Sequence, residues 1–229
     1  MTPSVGGYVD NPYVRADPVE ARHAMVERQL RQRGIADERV LEAMDRVPRE
    51  LFVPESERDL AYADGALPIG FGQTISQPYI VAVICSLLRL EGDERVLDVG
   101  TGSGYQAAVL AEIAAEVTTI ERVPELVERA QEVLRAAGYG HVDVRLGDGS
   151  VGVPEKAPFE GIAVAAAAPD IPEALYDQLA DGGRLVLPKG SRWGQDLVQV
   201  VKTGEGAVER ASVPCRFVPL LGAEGFQAR

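Results

Sequence analysis

Three glycines alternate with other residues in the segment Asp98-Val99-Gly100-Thr101-Gly102-Ser103-Gly104-Tyr105. Glycine has no Cβ, so the backbone can turn sharply here and approach a ligand closely. A short segment at residues 95–99, which we interpret as a buried strand, precedes the loop, and a helical pattern follows it. We therefore expect a ligand site at the carboxyl end of a buried strand, with the N–H groups of the next helix aimed at the ligand.

The residues around these glycines restrict the class of ligand that the loop can bind. A dinucleotide fingerprint requires glycine at position 105, where this chain has Tyr105, and a phosphate-binding P-loop ends in a lysine that is absent here. The pattern Asp-x-Gly-x-Gly-x-Gly instead resembles the first motif of Rossmann-like methyltransferases, whose loop wraps the amino-acid end of S-adenosylmethionine. The resemblance implies that S-adenosylmethionine is the cofactor. The cofactor contacts predicted in this segment are Asp98, Gly100, Thr101, Gly102, Ser103 and Gly104.

Two acidic residues follow the next two predicted strands. Glu121 comes directly after the strand at residues 117–120, where a carboxylate can accept hydrogen bonds from both ribose hydroxyls. The alternative for Glu121 is a surface ion pair with Arg122. Asp148 follows the strand at residues 142–146, in a place suited to bind the adenine amino group, although a turn-forming role between glycines is also open. We predict Glu121, Arg122, Asp148 and Gly149 as further cofactor contacts.

The segment before the glycine loop carries a more specific pattern. Residues 68–82 read Pro-Ile-Gly-Phe-Gly-Gln-Thr-Ile-Ser-Gln-Pro-Tyr-Ile-Val-Ala. This string closely resembles the signature of protein-L-isoaspartate O-methyltransferases. The resemblance extends over residues 24–222, and Ala165 is a departure from it that preserves the expected small volume. Further matching segments are residues 47–54, 96–109, 147–149, 166–169, 182–186 and 216–220.

The resemblance implies an activity and residue roles. The enzyme would methylate the free α-carboxyl of L-isoaspartyl and D-aspartyl residues in damaged proteins, and the ester would return through a succinimide to aspartate. Ser76 would be the catalytic serine that contacts the substrate carboxylate. Gln73, Thr74 and Ile75 would shape the cleft that cofactor and substrate share, and Thr74, Ile75 and Ser76 would also contact the cofactor.

The chemistry of methyl transfer is compatible with the scarcity of histidine in this chain. The attacking carboxylate is already ionised at neutral pH, so no strong general base is required. Aligning the reactants and excluding water should supply most of the acceleration. Ser76 is then best interpreted as a hydrogen-bond donor that orients the carboxylate. Its alternative role is to cap a helix that starts at Pro78.

The elements that position these residues change character near residue 95. From there strands and helices alternate, which predicts an α/β fold with a doubly wound, Rossmann-like, mostly parallel sheet and an antiparallel C-terminal hairpin over residues 197–202 and 208–218. Before it, helices at residues 18–33, 37–45 and 79–90 form an N-terminal helical cap. Gly34 is predicted to end the first of these helices and Asp37 to cap the second. Residues 67–78 contain too many glycines and prolines for a regular element.

The chain of 229 residues is long enough for one substantial core. We predict a flexible N-terminal arm at residues 1–18 and a single S-adenosylmethionine-dependent methyltransferase domain at residues 19–229. Within that domain, residues 19–92 are the helical cap and substrate segment, and residues 93–229 are the Rossmann-like core. We expect the last predicted helix of this core at residues 171–180.

The amino-acid composition narrows the classes of molecule that this chain is expected to bind. The net charge of -12 disfavours nucleic acid and anionic membranes. No apolar run reaches the ~18 residues of a spanning helix. Cys85 and Cys215 are expected to be free thiols of a reducing cytosol, and His23 and His141, the only histidines, do not predict a metal site. We expect a cytoplasmic monomer whose partners are isoaspartyl proteins and peptides.

Two other functions are compatible with parts of this pattern. Relatives of the family modify aspartate in ribosomal peptide natural products, but those enzymes are expected to carry a sizeable C-terminal extension, and this chain stops at Arg229. A non-catalytic cofactor-binding module would be expected to show a damaged glycine loop or to lack Ser76, and both are intact here.

Overall fold

The structure, a computed structural model, describes residues 17–227 and begins with the helical cap. Asp17 accepts a hydrogen bond from the Val19 N–H at 2.8 Å and so caps the first helix, in which Pro18 is the first residue. The predicted arm at residues 1–18 therefore ends in an ordered helix start, and its residues 1–16 lie outside the described residues. The helices of the cap are α1 (Pro18–Met25), α2 (Glu38–Arg46) and α3 (Pro78–Leu88).

The first two predicted helices are confirmed. Helix α1 continues through a π-helical stretch (Val26–Leu30) and a 3-10 turn (Arg31–Arg33) and ends at Gly34. Asp37 caps α2 as predicted, because its carboxylate accepts from the backbone N–H groups of the first turn. The inward-facing residues Val40, Leu41 and Met44 are all buried. Helix α3 ends two residues earlier than predicted, where Arg89 takes a left-handed conformation.

The segment at residues 67–78 contains a regular element, so that prediction is wrong. Strands β1 (Leu67–Gly70) and β2 (Gln73–Ile75) pair as an antiparallel hairpin. Gly70, Phe71 and Gly72 turn the chain with φ values of 92°, 53° and 70°, so the glycines form the turn rather than interrupt a strand. Pro68 is tolerated because β1 and β2 are the two strands of this sheet within the described residues, and a proline can lie on an edge strand.

A seven-stranded sheet forms the centre of the fold, in the order β5-β4-β3-β6-β7-β8-β9. The strands from β5 to β7 are parallel, and β8 and β9 add an antiparallel hairpin, as predicted. The chain leaves β3 in one direction and returns to its other side at β6, so the ligand crevice belongs at the end of β3. The strands are β3 (Arg95–Val99), β4 (Glu116–Glu121), β5 (Asp143–Leu146), β6 (Phe159–Val164), β7 (Leu179–Gly190), β8 (Gln195–Thr203) and β9 (Gly206–Cys215).

Helices cover the two faces of the sheet. They are α4 (Tyr105–Ala111), α5 (Pro124–Ala136) and α6 (Glu173–Asp177), in addition to α3. The helix predicted over residues 171–180 is wrong in length, because Leu179 is buried in the sheet and pairs with Phe159. The short α6 begins after Pro172 and ends before that strand.

The hydrophobic core joins the cap to the sheet. Along β3, Val96 belongs to a cluster that includes residues of α1, α2 and α3, whereas Leu97 and Val99 pack on the opposite face against Leu175 of α6. Successive side chains of a strand point to opposite faces, so one buried strand supports both layers. The cap therefore packs directly on the sheet.

Candidate active site

A cavity of about 400 Å³ lies at the carboxyl ends of β3 and β4. The hairpin of β1 and β2 closes one side, the glycine loop forms the floor, and residues 218–221 close the other side. Of the sequence-predicted site residues, those that line it are Gln73, Thr74, Ile75, Ser76, Gly100, Thr101, Gly102, Ser103, Glu121, Arg122 and Gly149. Asp98, Gly104 and Asp148 do not line the cavity.

The glycine loop turns as predicted, but its N–H groups are used differently. Gly100, Gly102 and Gly104 have φ values of 93°, 53° and 88°. The N–H groups of Gly100 and Thr101 donate to the Ile120 carbonyl, and that of Gly104 donates to the Thr101 carbonyl. The expected row of N–H groups aimed at a ligand is therefore largely occupied by the protein itself. Such a loop is a poor phosphate cradle, which agrees with the absence of the dinucleotide and P-loop patterns.

Glu121 fixes the loop from the end of β4. Its Oε2 accepts from the Gly102 N–H at 3.0 Å, and its Oε1 accepts from the backbone N–H groups of Arg122 at 2.8 Å and Val123 at 3.0 Å. The carboxylate is buried and lines the cavity. Among residues 17–227 the Arg122 guanidinium makes no ion pair with it, so the surface-pair alternative is wrong. A rigid, negatively charged acceptor here suits a ligand with hydroxyl donors better than a phosphate.

Gly149 and Asp148 form the wall near β5. A Cβ on Gly149 would come within 2.6 Å of the Val99 Cγ1, so only glycine fits there. The Asp148 carboxylate accepts from the Ser150 N–H and hydroxyl and from the Ala223 N–H. Burial alone would raise the pKa of Asp148, but these hydrogen bonds outweigh it and hold the pKa below its usual value. Asp148 thus has the turn-forming role that was its alternative, and its contact with adenine stays a prediction.

Asp98 lies beneath the cavity. It is fully buried and accepts from Gln106 Nε2 at 2.7 Å and from Thr119 Oγ1 at 2.9 Å. Burial raises its pKa to about 6, and the two hydrogen bonds limit that rise. Gln106 itself lines the cavity. Asp98 therefore orients a cavity side chain, and a direct contact of Asp98 with the cofactor stays a prediction.

The raised pKa of Asp98 predicts a stability difference that depends on pH. In the folded chain its pKa is about 6, above the value of about 3.9 for an unfolded chain. The folded state therefore holds a proton that the unfolded state releases, and the wild type loses stability as pH rises through this window. Asp98→Asn does not titrate, so relative to the wild type it should gain up to about 3 kcal/mol between about pH 4 and about pH 7, at roughly 1.4 kcal/mol per pKa unit. Urea unfolding of both proteins across this range measures the difference, and a constant difference would contradict the prediction.

Ser76 stands between β2 and α3, half-buried, and lines the cavity. The residue that precedes α3 as its N-cap is Gln77, and it makes no side-chain capping bond. Ser76 as a helix cap is therefore wrong. Its carbonyl accepts from Nη2 of Arg49 at 2.7 Å, which holds the peptide in place. The hydroxyl is thus available to a ligand.

Several cavity residues were missed by the sequence reasoning. Phe71 is 58% exposed at the hairpin turn, and Gln106 comes from α4. Residues 218–221 reach the cavity because the Ala167 N–H donates to the Val218 carbonyl and the Leu220 N–H donates to the Ala167 carbonyl. The match of residues 216–220 to the resembled family was the available signal for that segment.

This fold and site define a class of protein. A doubly wound sheet with an acid at the end of its second core strand, facing a glycine loop whose N–H groups are used internally, is the arrangement of Rossmann-like methyltransferases. A family model described as protein-L-isoaspartate(D-aspartate) O-methyltransferase matches residues 20–225. The chain therefore belongs to the protein-L-isoaspartate(D-aspartate) O-methyltransferase family.

Individual relatives agree with this assignment. The chain is 57% identical over 212 residues to protein-L-isoaspartate O-methyltransferase 2 of Marinobacter nauticus, covering 92% of this chain and 97% of the relative. It is 54% identical over 218 residues to the protein-L-isoaspartate O-methyltransferase of Methanoculleus marisnigri, covering 93% and 98%. A Plasmodium falciparum crystal structure described by the same family name, in complex with S-adenosyl-L-homocysteine, matches with a TM-score of 0.77 and 26% identity, covering 87% of this chain and 98% of that one.

Proposed function

We propose that this chain transfers a methyl group from S-adenosylmethionine to the free α-carboxyl of L-isoaspartyl and D-aspartyl residues in damaged proteins. The observation that carries the proposal is that one cavity brings Ser76 and the fixed Glu121 carboxylate together. The curated relatives named above are isoaspartate methyltransferases, and the Plasmodium structure holds the demethylated form of the cofactor. The ester would close to a succinimide that hydrolyses in part to aspartate.

The residues of the cavity fit this cofactor. Glu121 presents a carboxylate to ribose hydroxyls, and the turns at Gly100 and Gly102 keep side chains out of the floor. Ile120 and Leu220 supply apolar walls for a purine. We propose direct contacts for the lining residues, whereas Gly104 would act by shaping the loop, Asp98 through Gln106 and Asp148 by holding the wall. Thr74 and Arg122 would contact the cofactor from the rim, and the buried Ile75 would contact it from the wall.

The side chains of the cavity would position the reaction rather than transfer protons. When bound, S-adenosylmethionine supplies an electrophilic methyl group on a positively charged sulfur. The Ser76 hydroxyl donates to one oxygen of the substrate carboxylate and leaves the other oxygen free to attack. The hairpin turn at Phe71 and the segment at residues 218–221 line the cavity and would shield the bound reactants from water. The carboxylate is already ionised, so no general base is needed.

No observation favours the two alternative functions, a tailoring enzyme of peptide natural products and a non-catalytic cofactor-binding module. The relatives named above are described as isoaspartate methyltransferases, and none is described as an enzyme of peptide natural products. The glycine loop and Ser76 are both placed in the cavity, which does not favour a non-catalytic module.

We propose a cytoplasmic monomer that does not bind nucleic acid, because the net charge is -12 and Cys85 and Cys215 are both free thiols. No helix among the described residues combines the length and apolar character needed to span a membrane.

Paired peptides test the proposed function. The purified protein is incubated with labelled S-adenosylmethionine and with peptides that differ only in having isoaspartate or aspartate at one position. We expect label in the isoaspartyl peptide alone, because the free carboxylate of aspartate lies one methylene further from the backbone. Equal labelling of the two peptides would leave a general carboxyl methyltransferase instead.

A further inference from the structure

Arg49 is a buried cation that forms no ion pair with the described part of the chain. It begins the 3-10 turn Arg49–Phe52 and is fully buried. Its Nε donates to the Ala61 carbonyl and its Nη2 to the Ser76 carbonyl, both at 2.7 Å, whereas Nη1 has no partner among residues 17–227. No carboxylate in that range forms an ion pair with it. An unpaired buried charge is costly, so this arrangement calls for an anion that the described residues do not supply.

The guanidinium lies directly behind the cavity. Its central carbon is 4.7 Å from the ring centroid of Tyr105, and both Tyr105 and Ser76 line the cavity. One peptide and one aromatic ring therefore separate this charge from a ligand beside Ser76. Two charges that are separated by one peptide or one aromatic ring interact strongly when no water lies between them.

The charge of the cavity otherwise opposes an anionic substrate. The buried acidic side chain that lines it is Glu121, Arg122 is exposed at the rim, and the whole chain carries a net charge of -12. An isoaspartyl carboxylate that enters this cavity needs a nearby positive charge. Arg49 is the buried arginine in contact with Ser76.

We propose that Arg49 is a positioning residue whose buried positive charge attracts the substrate carboxylate across the Ser76 backbone while its Nη2 holds that backbone in place. The inference rests on the proposed function and deepens it, because it assigns the source of affinity for the substrate anion. Arg49 does not reach the reacting atoms and takes no part in bond making.

The test uses ligands of opposite charge. Arg49→Gln removes the charge but keeps an amide that can donate a hydrogen bond. We expect the KM for an isoaspartyl peptide to rise about tenfold, because an anion loses its attraction. We also expect the affinity for S-adenosylmethionine to rise severalfold relative to that for S-adenosyl-L-homocysteine, since the first carries a positive charge that the second lacks. A purely structural role of Arg49 would not change this ratio.

Two further variants separate charge from shape. Arg49→Lys keeps the charge, so its KM should stay within about threefold of the wild type and the ratio of cofactor affinities should not change. Arg46→Gln removes an exposed charge from the end of α2, outside the cavity, and should change neither quantity. Thermal unfolding of each variant establishes that it is folded.

Specific results for the Arg49 variants would overturn the proposed positioning role. Equal increases of KM in Arg49→Gln and Arg49→Lys, with an unchanged ratio of cofactor affinities, would leave Arg49 with a structural role only. Should Arg49→Gln fail to fold, a tenfold increase of KM in Arg49→Lys would by itself contradict the proposal, and a KM close to that of the wild type would support it. Failure of the proposed function is distinguishable, because the wild type would then not methylate the isoaspartyl peptide, while the ratio of cofactor affinities would still report the charge of Arg49.

Discussion

Replacing Ser76 with alanine is expected to lower the turnover of an isoaspartyl peptide by on the order of a hundredfold, with the affinity for S-adenosylmethionine nearly unchanged. The Ser76 hydroxyl lines the cavity and is proposed to orient the attacking carboxylate. Loss of that hydrogen bond allows the oxygen to shift, and misplacing a reacting atom by about an ångström costs on the order of a hundredfold in rate. The glycine loop and Glu121 are untouched, so the cofactor keeps its contacts.

The structure indicates that this substitution removes the hydroxyl and leaves the backbone of residue 76 in place. Within residues 17–227, the hydrogen bond that holds Ser76 runs from Arg49 to its backbone carbonyl, and alanine keeps that carbonyl. Ser86→Ala is the matched control, because Ser86 is a serine of α3 outside the cavity whose buried hydroxyl has no partner in the described part of the chain. Initial rates with labelled cofactor and cofactor titration measure the two quantities. Full turnover in Ser76→Ala would show that the hydroxyl has no role in the reaction.

Replacing Glu121 with alanine is expected to weaken S-adenosylmethionine binding by about 1–3 kcal/mol, or roughly five- to 150-fold. Two losses combine in this variant. The ribose hydroxyls lose a charged acceptor, and the backbone N–H groups of Gly102, Arg122 and Val123 lose the carboxylate that fixes the loop. Because the loop is the floor of the cavity, its loosening adds to the direct loss of hydrogen bonds.

A matched control is available on the same strand. Glu116 begins β4, which Glu121 ends, and its side chain is 56% exposed beside Lys156. Glu116→Ala removes the same charge from the opposite end of the strand and should leave cofactor affinity unchanged. Isothermal titration of both variants provides the comparison. An affinity of Glu121→Ala equal to that of the wild type would mean that Glu121 does not contact the cofactor.

Local chemistry explains why much of the fold could be predicted. The alternation of strands and helices from residue 95 onward gave β3, β4 and β5 to within about one residue. The buried apolar residues of β3 and β4 supplied this signal, because parallel strands are covered on both faces. Asp37 and Gly34 marked helix ends through capping and turning, which depend on a few neighbouring residues. The hairpin of β1 and β2 was missed because its glycines were interpreted as breakers of a strand, whereas they form the turn between two strands.

The sequence by itself determined the class of this protein, its glycine loop, and the acids and serine at the ends of its elements, since these depend on residue type and spacing along the chain. Only the tertiary structure decided which of them share the cavity. It placed Asp98 beneath the floor and closed the cavity with residues 218–221, which are more than a hundred positions from the loop. It also placed the Arg49 guanidinium behind Ser76, 27 positions away. Such contacts arise from packing between distant segments, and no local pattern encodes them.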